Sequence, residues 1–238
     1  MNLDLKTIGF YALIGVVPAL IWLWFWLKED EDHPEPKGLL FFTFILGMLA
    51  VVFVLPLEKW AKNSITSNIG LIAAWATIEE VMKFMAVALI ALQTNFLEEA
   101  IDFPIYFITA ALGFASLENI LFLNQAGGLD NTTMSLLTGS LRFLGATLLH
   151  AISSGIVGVM MGLAFRRNKF SKAIYLLGGL LGAIALHSVF NFFIIKGNGQ
   201  DFLRIFGLFW VFTIIFILIM EKLRRISHEN NYQLTAKA

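Results

Sequence analysis

The sequence predicts an all-α fold, a polytopic transmembrane helical bundle of about seven spans. Three observations predict it. First, 58% of the 238 residues are hydrophobic, 14% are charged, and mean hydropathy is +0.77. A soluble domain sits near 45–50% apolar and about 25% charged, and so few charges do not cover a soluble surface. Second, 17 basic and 17 acidic residues cancel to zero net charge, so no basic excess exists to meet phosphates. Together these exclude a soluble globular domain, a disordered chain and a nucleic-acid partner. Third, apolar stretches recur at the length of a bilayer crossing, roughly 20 residues. The chain has no cysteine, which excludes disulfides, thiolate metal sites and a cysteine nucleophile.

The seven stretches are 7–27, 39–57, 69–92, 103–123, 135–165, 173–195 and 202–220. The first, about 20 residues long with no small-residue cleavage site after it, is not a cleaved signal peptide; Trp22, Trp24 and Trp26 close it as an interfacial aromatic belt or equally as lipid-facing bulk. Segment 28–38 is acidic and interrupted by prolines, hence a solvated extramembrane loop. The fifth stretch would reach about 46 Å at 1.5 Å per residue. It is therefore tilted, partly outside the bilayer, or broken near Gly145 into an eighth span. Segment 124–131, with two glycines, reads as a turn. There is no internal repeat and no second domain. Residues 1–238 read as one integral membrane domain, with its motif-bearing core at about 69–195.

Seven spans put the connecting segments on alternating sides. Lys6, Lys59, Lys62 and Lys196 fall on one side. Lys28, Lys37, Arg166, Arg167, Lys169, Lys172, Lys222, Arg224, Arg225 and Lys237 fall on the other. The positive-inside rule makes the second side cytoplasmic, with the N-terminus outside and the C-terminus inside.

Five charges lie well inside spans, away from their ends: Glu79, Glu80, Lys83, Glu118 and Arg142, joined by Asn119, His150, His187 and Asn191. A charge at the bilayer centre costs about 2.5–3.5 kcal/mol on insertion scales, and such residues usually mark a functional site. Lys83 follows Glu79 by four residues and Glu80 by three, so both pairs share a helical face. Two carboxylates against one ammonium leave surplus negative charge, which needs a proton or an outside partner; the plainer reading is a structural ion pair. Glu118 adds a third carboxylate, or else a helix–helix hydrogen bond, and Gly113 nearby admits a close backbone. Arg142 needs a carboxylate such as Glu118 or Glu80, and charge balance alone accounts for it. Phe143 and His150, seven apart, share a face, and Ser154 lies one turn beyond His150. His187 and Asn191 are four apart on one face. An imidazole beside a carboxamide suits binding a water or metal, or donating to an oxyanion.

These residues resemble the PrsW family of intramembrane proteases, grouped with CAAX-prenyl proteases and bacteriocin-processing enzymes. Glu79-Glu80-x-x-Lys83 matches its EExxK motif, and Gly113-x-x-x-x-Glu118 resembles its second, glutamate-bearing motif. Arg142 and Phe143 through His150 resemble the third, at a spacing longer than a tight FRxxxxH. His187-x-x-x-Asn191 matches the fourth, HxxxN. The motifs stand in the family's order over about half the chain. The resemblance implies that Glu79 or Glu80 activates water, His150 and His187 hold it, and Asn191 stabilises the oxyanion. Lys83, Glu118, Asn119 and Arg142 form a supporting charge network. It also implies a bacterial plasma membrane and a single-pass membrane substrate such as an anti-sigma factor, cut at the extracytoplasmic side. A glutamate mechanism without cofactor is the first reading. A zinc site of Glu79 or Glu80 with His150 and His187 is the second. A transporter or proton relay is the third, although the paired broken helices of repeated halves are missing. Oligomeric state is left open.

Overall fold

The computed structural model describes the backbone of residues 5–28, 33–125, 133–196 and 202–235, and the side chains of 9–28, 33–123, 145–193 and 206–227. Among them run seven α-helices and no strand: α1 (Leu5–Leu27), α2 (Lys37–Ser64), α3 (Asn68–Leu89), α4 (Asp102–Gln125), α5 (Thr133–Leu163), α6 (Lys169–Lys196) and α7 (Phe202–Thr235). A helix covers each of the seven expected stretches. Six of the helices contain segments long and apolar enough to cross a membrane. The other, α3, has the length at 22 residues but carries Glu79, Glu80 and Lys83.

Local chemistry sets several ends. Ser67 caps α3, its hydroxyl accepting from the Gly70 N–H at 3.3 Å. Asn168 does the same for α6, accepting from Ser171 N at 2.8 Å. Pro104 sits in the first turn of α4, where a missing N–H costs nothing.

Helix α4 is the central post, packed against α1, α2 and α5, and every residue from 101 to 116 is buried. A helix apolar on all sides belongs in such a position. The outer helices turn large apolar side chains outward, among them Leu13, Trp24, Phe53, Leu177, Leu208 and Leu218, as lipid contact requires. Gly113 of α4 performs the expected close approach. A Cβ there would strike the Phe44 carbonyl of α2, and one at Gly47 of α2 would strike the Ala110 carbonyl of α4. The two glycines let the backbones of α2 and α4 touch.

Three local expectations change. Helix α5 runs unbroken through Gly145; the glycine instead makes room for the Phe206 ring of α7, which would lie 2.6 Å from an added Cβ. The tryptophans do not form one belt. Successive residues turn about 100°, so Trp24 faces out beneath Lys28, while Trp26 is fully buried edge-on to Phe216 at 5.4 Å. Nor is the 28–38 segment wholly solvated, since Glu35 is buried and accepts a hydrogen bond from Tyr106.

Candidate active site

Four helices converge on one buried polar cluster. Helix α3 supplies Glu79, Glu80 and Lys83, α4 supplies Glu118 and Asn119, α5 supplies His150, Ser153 and Ser154, and α6 supplies His187. Glu79, Glu80, Lys83, His150 and His187 are each at most 4% exposed. The sequence pattern placed these groups on separate helices, and the bundle brings them together.

Glu80 is the fixed member. Lys83 Nζ donates to its Oε1 at 2.7 Å, Ser154 Oγ donates to its Oε2 at 2.8 Å, and His187 Nδ1 lies 2.8 Å from Oε1. Ser153 Oγ adds a longer contact at 3.2 Å. An ionised carboxylate only accepts, so His187 Nδ1 carries the hydrogen and Nε2 keeps its lone pair. That Nε2 lies 3.7 Å from Glu79 Oε2.

His150 is held from both ends. Its Nε2 is 2.7 Å from Glu118 Oε2 and its Nδ1 is 2.7 Å from Lys83 Nζ. An ammonium has only hydrogens to offer, so Nδ1 accepts and Nε2–H donates to Glu118. The imidazoles of His150 and His187 meet edge to face at 5.0 Å. Lys83 lies over the Phe114 ring at 4.7 Å.

Glu79 differs from its neighbour. Its Oε2 is buried without a hydrogen-bond partner. Three groups stand 3.7 Å from that oxygen: Lys83 Nζ, His150 Nδ1 and His187 Nε2. Glu79, but not Glu80, also lines a cavity of about 190 Å³, together with Glu58, Phe114, Glu118, Asn119 and Ala146. The wall comes from the C-terminal halves of α2 and α4, the middle of α3 and the N-terminal half of α5. The cavity is thus displaced toward the end of the bundle where α2 and α4 terminate. Asn119 Nδ2 donates to Thr147 Oγ1 at 3.1 Å.

Glu58 was not legible as a site residue. It follows the apolar stretch of the second span, next to Lys59, and reads as an interfacial charge. In the structure it lines the same cavity as Glu79. Asn191 is half-buried one turn beyond His187 and makes no side-chain hydrogen bond with a described residue. Arg142 and Phe143 stand on α5 outside the residues whose side chains are described; Glu118, one carboxylate expected to meet Arg142, is met by His150. Glu79, His150 and His187 each place one ligand atom within 4.8 Å of the others.

Comparison with known proteins points the same way. Residues 35–220 match the family described as PrsW family intramembrane metalloprotease. Protease PrsW of Oceanobacillus iheyensis is 29% identical over 91% of this chain and 95% of its own length. Those of Geobacillus kaustophilus and Bacillus subtilis are 27% and 24% identical, over 76% and 75% of this chain and 78% and 79% of their own lengths. No solved structure matches.

Proposed function

The chain belongs to the PrsW family of intramembrane metalloproteases and is a membrane-embedded peptidase; we propose that it cuts a peptide bond of a membrane-anchored, single-pass protein, such as an anti-sigma factor. The observation that carries this reading is Glu79, whose unpartnered Oε2 faces two histidines at the wall of a cavity. A general base must reach the proton it removes, and a fully satisfied carboxylate is a poor one. Glu79 therefore takes the proton from the attacking water, and His187 Nε2 orients that water. Glu80 fixes the His187 tautomer, as a second carboxylate does for a working imidazole. The water oxygen adds to the scissile carbonyl. The resulting oxyanion is met by Lys83 and by the Asn191 carboxamide. Glu79 then passes its proton to the leaving amine as the C–N bond breaks. His150 and Glu118 hold Lys83 in place. We take residues 1–238 as one domain with its working core at 69–195.

The same residues fit a divalent metal such as zinc. Glu79 Oε2 is an orphaned buried oxygen, and two imidazole nitrogens lie 3.7 Å from it, a two-histidine, one-carboxylate donor set. Zinc held by Glu79, His150 and His187 would supply a Lewis acid that lowers the pKa of its water.

The test is cleavage of a panel of single-pass substrates reconstituted in vesicles with the purified chain. Cleavage that survives a zinc chelator is the expected result and supports the glutamate mechanism. Loss with chelator and recovery with zinc selects the metal reading. Equal product from wild type and from Glu79→Gln, Glu80→Gln, His150→Ala and His187→Ala overturns the site.

The cavity occupies the half of the bundle containing the C-termini of α2 and α4. With the N-terminus outside and the C-terminus in the bacterial cytoplasm, that half is extracytoplasmic. The chain has no cysteine, so single cysteines report topology cleanly. A cysteine at Lys62 should react with an impermeant maleimide on intact cells, and one at Arg167 only after permeabilisation. The reverse pattern inverts the orientation.

A further inference from the structure

We propose that Lys83 is a tethered cation that competes with a divalent metal for the His150 Nδ1 lone pair, so that this one side chain sets how readily the site takes metal. The proposal rests on the site assignment above but needs no substrate, so it can fail while the protease reading stands.

The argument begins with donor counting. A neutral imidazole has one lone pair, on the nitrogen without hydrogen. In His150 the Nε2 hydrogen is committed to Glu118 at 2.7 Å, so the lone pair is on Nδ1. That nitrogen faces Glu79 Oε2 at 3.7 Å and is the one a metal shared with Glu79 would use. Lys83 Nζ already occupies it at 2.7 Å. One lone pair cannot accept from an ammonium and bind a metal together.

The position of Nζ strengthens the point. Besides Nδ1 it has Glu80 Oε1 at 2.7 Å and Glu79 Oε2 at 3.7 Å. It sits among the oxygens and nitrogen that would surround a metal and supplies positive charge there. Lys83 is fully buried, with its head over the Phe114 ring. A divalent ion entering beside it meets a like charge in low dielectric. In the chain as it stands, then, Glu79 and His187 are ready for a metal and His150 is withheld. The Lys83 ammonium does part of what the metal would do.

Zinc titration of the purified full chain in detergent micelles at one fixed pH, followed by calorimetry, tests this. Lys83→Met should bind zinc at least tenfold more tightly than wild type, and Lys83→Arg, which keeps the charge, should not. Adding His187→Ala to Lys83→Met should abolish the gain. Equal affinity in wild type and Lys83→Met overturns the proposal, as does equal tightening by methionine and arginine. Tight zinc binding that survives His187→Ala overturns it too, because the ion is then elsewhere. Lys83→Met leaves Glu80 short of a cation and can fail to fold. The pair Glu80→Gln and Lys83→Met/Glu80→Gln then carries the same comparison, with the same tenfold difference expected.

Discussion

Glu79→Gln should reduce substrate cleavage by about 10²–10⁴-fold, the range for a positioned general base, while leaving the melting temperature close to that of wild type. The two halves of this expectation have separate reasons. Glutamine matches glutamate in shape but does not take a proton from water. Folding is spared because the atom that matters has nothing to lose: Glu79 Oε2 has no hydrogen-bond partner, and its nearest cation is 3.7 Å away. Initial rates on a reconstituted single-pass substrate, read beside a thermal melt in micelles, check both halves. More than a tenth of wild-type activity in a folded Glu79→Gln chain removes Glu79 as the base.

The seven helices were legible because lipid imposes one length and one polarity on a crossing, and the charges inside them stood out against that background. Glu79, Glu80, Lys83, Glu118, His150 and His187 could be picked by their energetic cost alone. Which of two adjacent glutamates faces the cavity was not legible. Neighbouring helical residues point about 100° apart, and only the placement of α5 and α6 decides which one meets Ser154 and His187. Glu58 was hidden for the opposite reason. Near a helix end a charge is cheap, so composition gives no signal, and its role depends on α2 approaching α4 through Gly47 and Gly113. Glu35 escaped likewise, because an acidic residue among acidic loop residues carries no mark of burial until Tyr106 is seen to reach it. Local rules find what is costly in place and miss what becomes costly only after helices pack.

Glu80→Ala should be the most destabilising single change in the cluster, by about 3–5 kcal/mol, the range for breaking a buried ion pair from one side. At this chain length that is a melting temperature lower by roughly 6–20 °C. Glu80 joins three helices: Lys83 on its own helix, Ser154 on α5 and His187 on α6. Alanine removes every acceptor at once. It strands a fully buried ammonium whose remaining carboxylate, Glu79, is 3.7 Å off, and frees the His187 ring to turn. Activity should fall as well, through a loosened His187. The decisive comparison is the double variant Glu80→Leu/Lys83→Met. Replacing both partners by apolar groups removes the stranded charge and is often neutral, so the double variant should melt above Glu80→Ala. That ordering separates an ion pair needed for folding from one needed for chemistry. A Glu80→Ala chain that melts with wild type means that Ser154 and His187 are held without Glu80. A double variant that melts lower still means that the cost was lost packing around Phe114 and not stranded charge.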